Sequence, residues 1–445
     1  MSALQQEATR NRANTLIEAL QGNLSSKSPL KQNDILDLLG ELKVIGRDTQ
    51  FADIFSIEVL NSLAKYGSHD QNFDVRLEAL RIIANALLAS HPLRQAWDGV
   101  SAFAKQYMNP SVDEEFVIGR ILFLSTIEGS RIHIPSLRQT LKDYITESLQ
   151  RHSRHQPNAR EQAAVVETCK LLFNVLCKIP ESTTEYDYLV KYLVWILRHL
   201  PRKLVQAASS VITCLLKLSV IDEVYFPQEE PLAVVALLFE MIETRMRNLG
   251  LDDPTLDDSI APALLVLHRA IAKSQLQSVK EYVRSKVLPP ESERNKPLGV
   301  SSSFQSLLLQ TASKPGLQKT REISYQIMFE SCNEDAREFI HSIGFGFAAG
   351  FLINHKIEIP NESLREADEY LNAQSSYSVN PVTGQRIDAE NASYPSLAEM
   401  TDEEKEREAE KLFVLFERLR ENGVISVQNP VRTAVESGRF QQLPE

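Results

Sequence analysis

The stretch Leu193–Leu215, LVWILRHLPRKLVQAASSVITCL, decides the fold class because its apolar residues recur with the period of a helix. Leu193, Ile196 and Leu200 are three and four residues apart, so they lie on one face of a helix. The same spacing resumes after Pro201, at Leu204, Ala208, Val211 and Leu215. Proline interrupts a helix because it lacks a backbone N–H and its ring clashes with the preceding turn. The stretch therefore predicts two consecutive helices joined at Pro201.

The same period extends in both directions from this stretch. It is clear at Val166, Cys169, Phe173 and Leu176. Similar patterns cover 29–45, 51–66, 74–89, 113–127, 134–151, 231–248, 260–273, 276–288, 303–313 and 317–332. Helices joined by short breaks, without alternating strand patterns, are typical of an α-solenoid of the armadillo/HEAT kind. We therefore predict an all-α fold with a helical-repeat superhelix over residues 1–360, the alternative being a globular helical protein.

Composition excludes several classes of protein. The chain has 445 residues, only 16 glycines and a net charge of −11, which argues against a general nucleic-acid binder. The four cysteines are scattered, so neither a disulfide framework nor a CxxC metal site is indicated. The polar start lacks the pattern of a secretory signal. The longest apolar stretch, 343–353, is shorter than the roughly 18 residues of a membrane span. We expect a cytoplasmic protein without a transmembrane segment.

The character of the sequence changes after Pro360. Residues 361–399 are rich in Ser, Asn, Ala and acids, and they predict an irregular acidic linker. Residues 361–410 contain 13 acidic and 4 basic residues, a net of −9, so this segment carries most of the chain's negative charge.

One more helix is predicted in the final part, 400–445, over about 401–422. Thr401 and Glu404 have the spacing of a capping box, and Gly423 ends the pattern. Its apolar stripe consists of Leu412, Leu415, Phe416 and Leu419. We expect this amphipathic helix to dock on the repeat domain or on a partner.

Motifs of enzyme chemistry are absent from the sequence. It contains no HExxH, GxxxxGK[ST] or GxSxG pattern. Gly344–Gly350 has the spacing GxGxxxG without a preceding strand, and its small residues predict close packing of two helices instead of a nucleotide loop. His152 and His155 lie in a polar stretch and are interpreted as surface residues. We predict no enzymatic activity, no cofactor and no metal.

Basic residues indicate a binding surface. From Tyr188 to Ile221 there is no acid, but five cations, namely Lys191, Arg198, Arg202, Lys203 and Lys217. Lys43 and Arg47, four residues apart near the end of a helix, form a second group. A basic row on the concave face of a solenoid would attract a peptide that carries carboxylates. The alternative is a solvated face, or cations that complement the negative end of a helix dipole.

Several motifs resemble the synembryn (resistance to inhibitors of cholinesterase) family, cytosolic exchange factors and chaperones for heterotrimeric G-protein α subunits. The most specific are Asn380-Pro-Val-Thr-Gly384 and the run from Met400 to Leu412, followed by Phe416-Glu-Arg-Leu419. The glycine-rich stretch Gly344–Gly350, Val287-Leu-Pro-Pro290 and Lys170–Leu176 match in order and approximate spacing. The resemblance is strongest from about 285 to 420.

The resemblance implies an armadillo/HEAT superhelix whose concave face captures the C-terminal helix of the α subunit (Gα). Positions that match the family's contacts are Lys43, Arg47, Asn85, Asn174, Lys203, Lys319 and Arg321. It also implies that the helix near 401–421 reaches toward the nucleotide-binding domain of Gα, and that Ser363 is a phosphorylation site. We expect a monomer recruited to the plasma membrane or cell cortex through Gα. A generic armadillo peptide-binding scaffold or transport adaptor is the alternative.

Overall fold

A computed structural model describes residues 3–97, 99, 110–128, 133–358, 379–380, 383–393 and 401. For these residues the predicted all-α solenoid is confirmed, because helix follows helix and the single β-type pairing is a bridge between Val379 and Arg386. The α-helices are α1 (Ala3–Ser25), α2 (Gln32–Ile45), α3 (Ile57–Tyr66), α4 (Phe73–Ala89), α5 (His91–Ala96), α6 (Val112–Thr126), α7 (Pro135–His152), α8 (Ala159–Lys178), α9 (Val190–His199), α10 (Gln206–Leu215), α11 (Asp222–Tyr225), α12 (Ala233–Leu249), α13 (Leu256–Lys273), α14 (Gln277–Val287), α15 (Phe304–Gln310), α16 (Gln318–Ser331), α17 (Ala336–Ile343), α18 (Phe345–Asn354) and α19 (Ile387–Ser393). Short 3-10 helices cover Thr49–Ile54, Pro180–Leu189, Glu291–Asn295 and Thr311–Ser313.

Alternate helices stack directly on one another. We call helices α2, α4, α6, α8, α10, α13 and α16 the ladder, since each packs against the next. A second layer, which we call the outer layer and which includes α3, α7, α9, α12 and α14, covers the other side of the ladder, and its members contact one another far less. A stack with one closely spaced layer curves toward that layer, so the free side of the ladder is its concave face.

Local sequence sets where the ladder helices begin. The Ser111 side chain accepts the backbone N–H of Glu114, and the Glu114 carboxylate accepts the backbone N–H of Ser111, which closes a capping box at the start of α6. Asn158 and Glu161 form the same arrangement at the start of α8. These contacts satisfy backbone donors that have no partner within the helix.

The core runs along the whole stack between the two layers. Ile118, Ile121 and Leu122 of α6 are completely buried, as are Leu171 and Leu172 of α8. Burying aliphatic side chains on both sides of a ladder helix contributes most of its stability, at about 1.5–3 kcal/mol for each large residue. No described helix is both long enough and apolar enough to span a bilayer.

Two local expectations differ from the structure. The helix expected from residue 260 begins at Leu256 and contains Pro262, so the proline lies inside α13, in its second turn. Gly344 does not bring two helices close together. It has a φ of 83°, which favours glycine, and it ends α17 where α18 begins. The Gly350 Cα faces open space, so its small size is not required for packing.

The predictions for the C-terminal part fall mostly outside the described residues. This applies to Ser363 and to the predicted helix 401–422 with its stripe of Leu412, Leu415, Phe416 and Leu419. Within the predicted irregular linker 361–399, residues 379–380 and 383–393 are described and include the short helix α19. The domain boundaries themselves stay a prediction.

Candidate functional site: a basic groove on the concave face

Three of the predicted contact residues lie together in one groove. Lys43 of α2, Arg47 just after α2 and Asn85 of α4 line a cavity of about 210 Å³ between α2, α4 and α6. The remaining lining residues are Arg81, Ala84, Asp113, Phe116, Val117 and Arg120. Arg81 and Asn85 are four residues apart on α4, as Phe116 and Arg120 are on α6, so each pair occupies one helix face. We call this cavity and its rim the basic groove.

One partly buried carboxylate positions two of the groove's cations. Glu78 of α4 forms ion pairs with Lys43 on the neighbouring ladder helix and with Arg81 one turn along its own helix. Burial acts to raise the pKa of Glu78, but the hydrogen bonds from Lys43 and Arg81 outweigh it and hold this pKa below its usual value. Glu78 is therefore ionised at neutral pH, and it fixes the direction in which both cations point.

The wall formed by α6 carries a cation on an aromatic ring. The Arg120 guanidinium carbon lies 4.7 Å from the centre of the Phe116 ring. An Arg120 Nη atom is 3.0 Å from a carboxylate oxygen of Glu167, a residue of α8 whose side chain is almost fully buried. Within the part of the chain that the structure describes, the side chains of Arg47 and Asn85 have no ion-pair or hydrogen-bond partner. These two groups are free to bind an incoming carboxylate or carbonyl.

An apolar edge runs beside the basic groove. Leu88 follows Arg81 and Asn85 by seven and three residues on α4, so it lies on the same face, and it is 62% exposed. Val44 at the end of α2 is 63% exposed, and Ile127 just after α6 is 37% exposed. All three lie near the C-terminal ends of α2, α4 and α6, the helices that line the basic groove. These helices thus carry cations along the cavity and an exposed aliphatic side chain near their ends.

The same arrangement continues toward α8 and α10. The Lys170 Nζ is 5.6 Å from the ring centre of Phe123, and the Lys217 Nζ is 5.7 Å from that of Phe173. Asn174 lies one turn after Lys170 and donates to the Thr126 hydroxyl over 3.2 Å, so it joins α8 to the end of α6. Asn174 therefore extends the row of the basic groove, although its amide donors are used within the fold.

The other predicted contact residues lie elsewhere. Lys203 is exposed in the connection between α9 and α10. Lys319 and Arg321 are in the first turn of α16, and the Lys319 Nζ is 2.6 Å from a carboxylate oxygen of Asp258 on α13. None of these three residues lines the basic groove. A single continuous site would have to run along most of the ladder to include them.

Comparison with known proteins identifies the family. Residues 38–439 match the family described as guanine nucleotide exchange factor synembryn, which covers most of the chain. The chain belongs to the synembryn family. It is 26% identical to chaperone Ric-8A of Bos taurus over 485 aligned positions, 95% of this chain and 86% of that protein.

Two further relatives of this synembryn-family chain match over shorter stretches. A synembryn-like chaperone of Schizosaccharomyces pombe is 27% identical over 191 positions, which are 41% of this chain and 35% of that protein. Chaperone ric-8 of Caenorhabditis elegans is 29% identical over 204 positions, 43% of this chain and 35% of that protein. These two alignments therefore span about a third of each relative's length.

The basic run of this synembryn-family chain is not a concave row. Arg198 of α9 pairs with Glu230, and Arg202 pairs with Glu240 over 2.6 Å, so acids from the α12 region neutralise both. Both arginines line a cavity of about 570 Å³ between α9 and α12, which belong to the outer layer. Only Lys217 of the run contacts a ladder-helix aromatic ring, that of Phe173, within the described residues. The concave cations come from α2, α4, α6 and α8 instead.

His152 is not a surface residue, which corrects the interpretation from sequence. It is 1% exposed, and its Nε2 lies 3.1 Å from the carboxylate of Glu115, which is itself fully buried. Because α7 packs against α8 and faces the start of α6, a polar residue on its inner face is enclosed by both helices. His155 is largely exposed, and its Nε2 is 2.7 Å from Glu161. Among the described residues no three His, Cys, Asp or Glu side chains converge with the geometry of a metal site.

Three residues of the groove are not among the predicted contact residues, namely Arg81, Phe116 and Arg120. Arg81 precedes Asn85 by one helical turn, and Arg120 follows Phe116 by one. That spacing was a usable signal. The exposure of Val44 and Leu88 gave no such signal, because an aliphatic residue near the end of an amphipathic helix resembles a core residue in sequence.

Proposed function

We propose that this chain is a guanine nucleotide exchange factor and folding chaperone for G-protein α subunits, and that it captures the C-terminal helix of Gα on the basic groove. Family membership supports the class of activity. The observation that carries the assignment to this surface is that the same three ladder helices carry cations along the cavity and exposed aliphatic side chains near their ends.

This surface fits an amphipathic helix that carries carboxylates. Such a helix would lay its apolar face on Val44, Leu88 and Ile127, and its carboxylates would face Arg47 and Arg120. A terminal carboxylate suits the site particularly well, because a guanidinium can bind both of its oxygens at once. Asn85 is placed to hydrogen-bond a backbone group of the bound peptide.

The proposed mechanism is thermodynamic linkage without covalent chemistry. If the chain binds nucleotide-free Gα more tightly than GDP-bound Gα, it must lower the affinity of Gα for GDP by the same factor. A coupling of about 1–3 kcal/mol corresponds to a change of roughly 5- to 150-fold. The same preference would stabilise a newly made α subunit before it acquires nucleotide. We propose that this takes place in the cytoplasm, with recruitment to the membrane through Gα.

The test is a pull-down of nucleotide-free Gα with and without its last helix, together with uptake of a GTP analogue by Gα. We expect capture of the intact subunit, strongly reduced capture after the truncation, and faster uptake in the presence of the chain. Undiminished binding after the truncation would contradict the groove assignment. Capture of the helix with no acceleration of uptake and no gain in folded Gα would favour a peptide-binding scaffold instead.

A further inference from the structure

A second described segment, beyond the last helix of the repeat domain, packs on the end of the stack. The repeat domain is described as far as Glu358, and this segment consists of residues 379–380 and 383–393, which we call the clasp. Val379 of the clasp is 1% exposed and Gln385 is 5% exposed. A segment that buries such residues against the domain is part of that domain's surface and does not behave as a free linker.

Arg294 is the centre of these contacts. It lies in the 3-10 helix after α14, is 5% exposed, and donates from Nη1 to the carbonyl of Gly384 over 3.0 Å. Its Nη2 donates to the carbonyl of Ser342, at the end of α17, over 2.8 Å. The Arg294 carbonyl in turn accepts the backbone N–H of Arg386 over 2.7 Å. One buried residue therefore joins the α14 end, the α17 end and the clasp.

Further hydrogen bonds fix the clasp in one register. Leu298 N donates to the carbonyl of Thr383 over 3.2 Å, and the Gln385 side chain donates to the carbonyl of Asn295 over 3.2 Å. Inside the clasp, Asn380 donates to the Glu390 carboxylate over 3.0 and 3.1 Å, which ties its turn to α19. The clasp is thus held on both of its sides by backbone groups of the repeat domain.

Glycine is required at position 384. Its φ is 68°, a conformation that residues with a side chain rarely adopt, and a Cβ there would lie 2.4 Å from Leu298 Cδ1. The clasp therefore depends on one residue of its own as well as on Arg294. Substituting Gly384 acts on the clasp without removing any side chain of the repeat domain.

We propose that the clasp is a positioning device that shortens the tether between the repeat domain and the C-terminal segment 394–445. This inference rests on the proposed function, and on the sequence-based expectation that the helix near 401–421 reaches toward the nucleotide-binding domain of the same Gα. With the clasp closed, seven residues separate Ser393 from Thr401, the start of the predicted helix; with the clasp open, 42 residues separate Glu358 from Thr401. Effective concentration falls with about the −3/2 power of tether length, so opening the clasp lowers it about 15-fold.

The first experiment needs no partner. Amide hydrogen exchange is measured on the full chain, on Gly384→Val, on Arg294→Gln and on the control Ile387→Ala, whose side chain is 37% exposed. We expect the amides of Gly384 and Arg386 to be protected in the wild type and the control, and to lose protection in both other variants. Retained protection of α16 in Gly384→Val shows that the repeat domain is intact. Full protection of the clasp amides in Gly384→Val would overturn the proposal.

The second experiment measures affinity for nucleotide-free Gα with and without residues 394–445. We expect Gly384→Val to weaken binding about 15-fold, Ile387→Ala to leave it unchanged, and deletion of 394–445 to cost less in Gly384→Val than in the wild type. Loss of amide protection without loss of affinity would overturn the tether role. No binding by the wild type would contradict the proposed function, while the exchange measurement would still decide whether the clasp exists.

Discussion

Removal of the buried carboxylate of Glu115 should destabilise the repeat domain severely. The side chain is fully buried at the start of α6. Its oxygens accept a hydrogen bond from the Ser148 hydroxyl over 2.5 Å and lie 3.1 Å from His152 Nε2 and 3.6 Å from Arg151 Nη1. Glu115→Ala removes a partner shared by three residues of α7, of which His152 is enclosed (1% exposed) and has no other side-chain partner among the described residues.

The magnitude follows from burial. Removing one partner of a buried ion pair costs about 3–5 kcal/mol, and the fully buried Glu115 carboxylate pairs with Arg151 and contacts the enclosed His152. Asp113, two residues earlier on the same helix, provides a matched control. It is 43% exposed and its oxygen is 3.5 Å from a nitrogen of the exposed Arg160. Because exposed pairs contribute about 0–1 kcal/mol, Asp113→Ala should cost no more than about that.

The assay is urea denaturation followed by far-ultraviolet circular dichroism, with amide hydrogen exchange of α6 and α7 to locate the loss. Glu115→Ala should lower the free energy of unfolding by about 3–5 kcal/mol. Glu115→Gln should recover part of this, because the amide keeps the volume of the side chain and can still accept from Ser148. If Glu115→Ala costs no more than Asp113→Ala, the buried cluster does not join these helices as described.

Three further predictions concern pH, capping and the groove. Burial, aided by the charge of Arg294, lowers the pKa of His341 from its ordinary 6.5 to about 4. As the pH falls, the His341 ring is therefore protonated in the unfolded chain before it is protonated in the folded one. The free energy of unfolding should therefore decrease between about pH 6.5 and 4, and His341→Gln should remove that share of the decrease in urea titrations at several pH values. Ser111→Ala breaks the capping box of α6 and should cost about 1 kcal/mol in the same assay, whereas Ser111→Asp should restore most of it. Leu88→Ser should change stability by less than about 0.5 kcal/mol but weaken binding of the Gα C-terminal peptide about tenfold, as measured by fluorescence anisotropy.

Periodicity predicts most of the long helices but not α1, α17 or α18. The apolar spacing around Pro201 predicts both α9 and α10. Pro262 shows a limit of the method, since a proline is expected to end a helix but α13 accommodates it in its second turn. These features depend on contacts within about one helical turn, and such contacts are visible in sequence.

The site depends on contacts that sequence spacing does not contain. The sequence predicts Lys43 and Arg47 as a basic pair, and the family resemblance adds Asn85. The ion pair between Glu78 and Lys43 cannot be predicted in this way, because it depends on the stacking of α2 on α4. The long basic run does not form a concave row, because Arg198 and Arg202 lie beside α12 and pair there with acids that are distant in sequence. The interpretation of His152 was wrong for the related reason that its buried partner, Glu115, is 37 residues away in sequence.

The most direct test of the account is a titration of a Gα C-terminal helix peptide, with a free carboxylate or an amidated end, measured by fluorescence anisotropy. Arg47→Gln combined with Arg120→Gln changes the basic groove, and Arg198→Gln combined with Arg202→Gln removes the same number of charges from the outer layer. We expect the groove variant to lose about 10- to 100-fold in affinity for the free-carboxylate peptide, because a hydrogen bond to a charged group contributes about 1.5–3 kcal/mol. The outer-layer variant should bind as the wild type does, and amidation should weaken wild-type binding more than binding to the groove variant. Equal losses in both variants, or no loss in the groove variant, would contradict the claim that the basic groove is where this chain captures its partner.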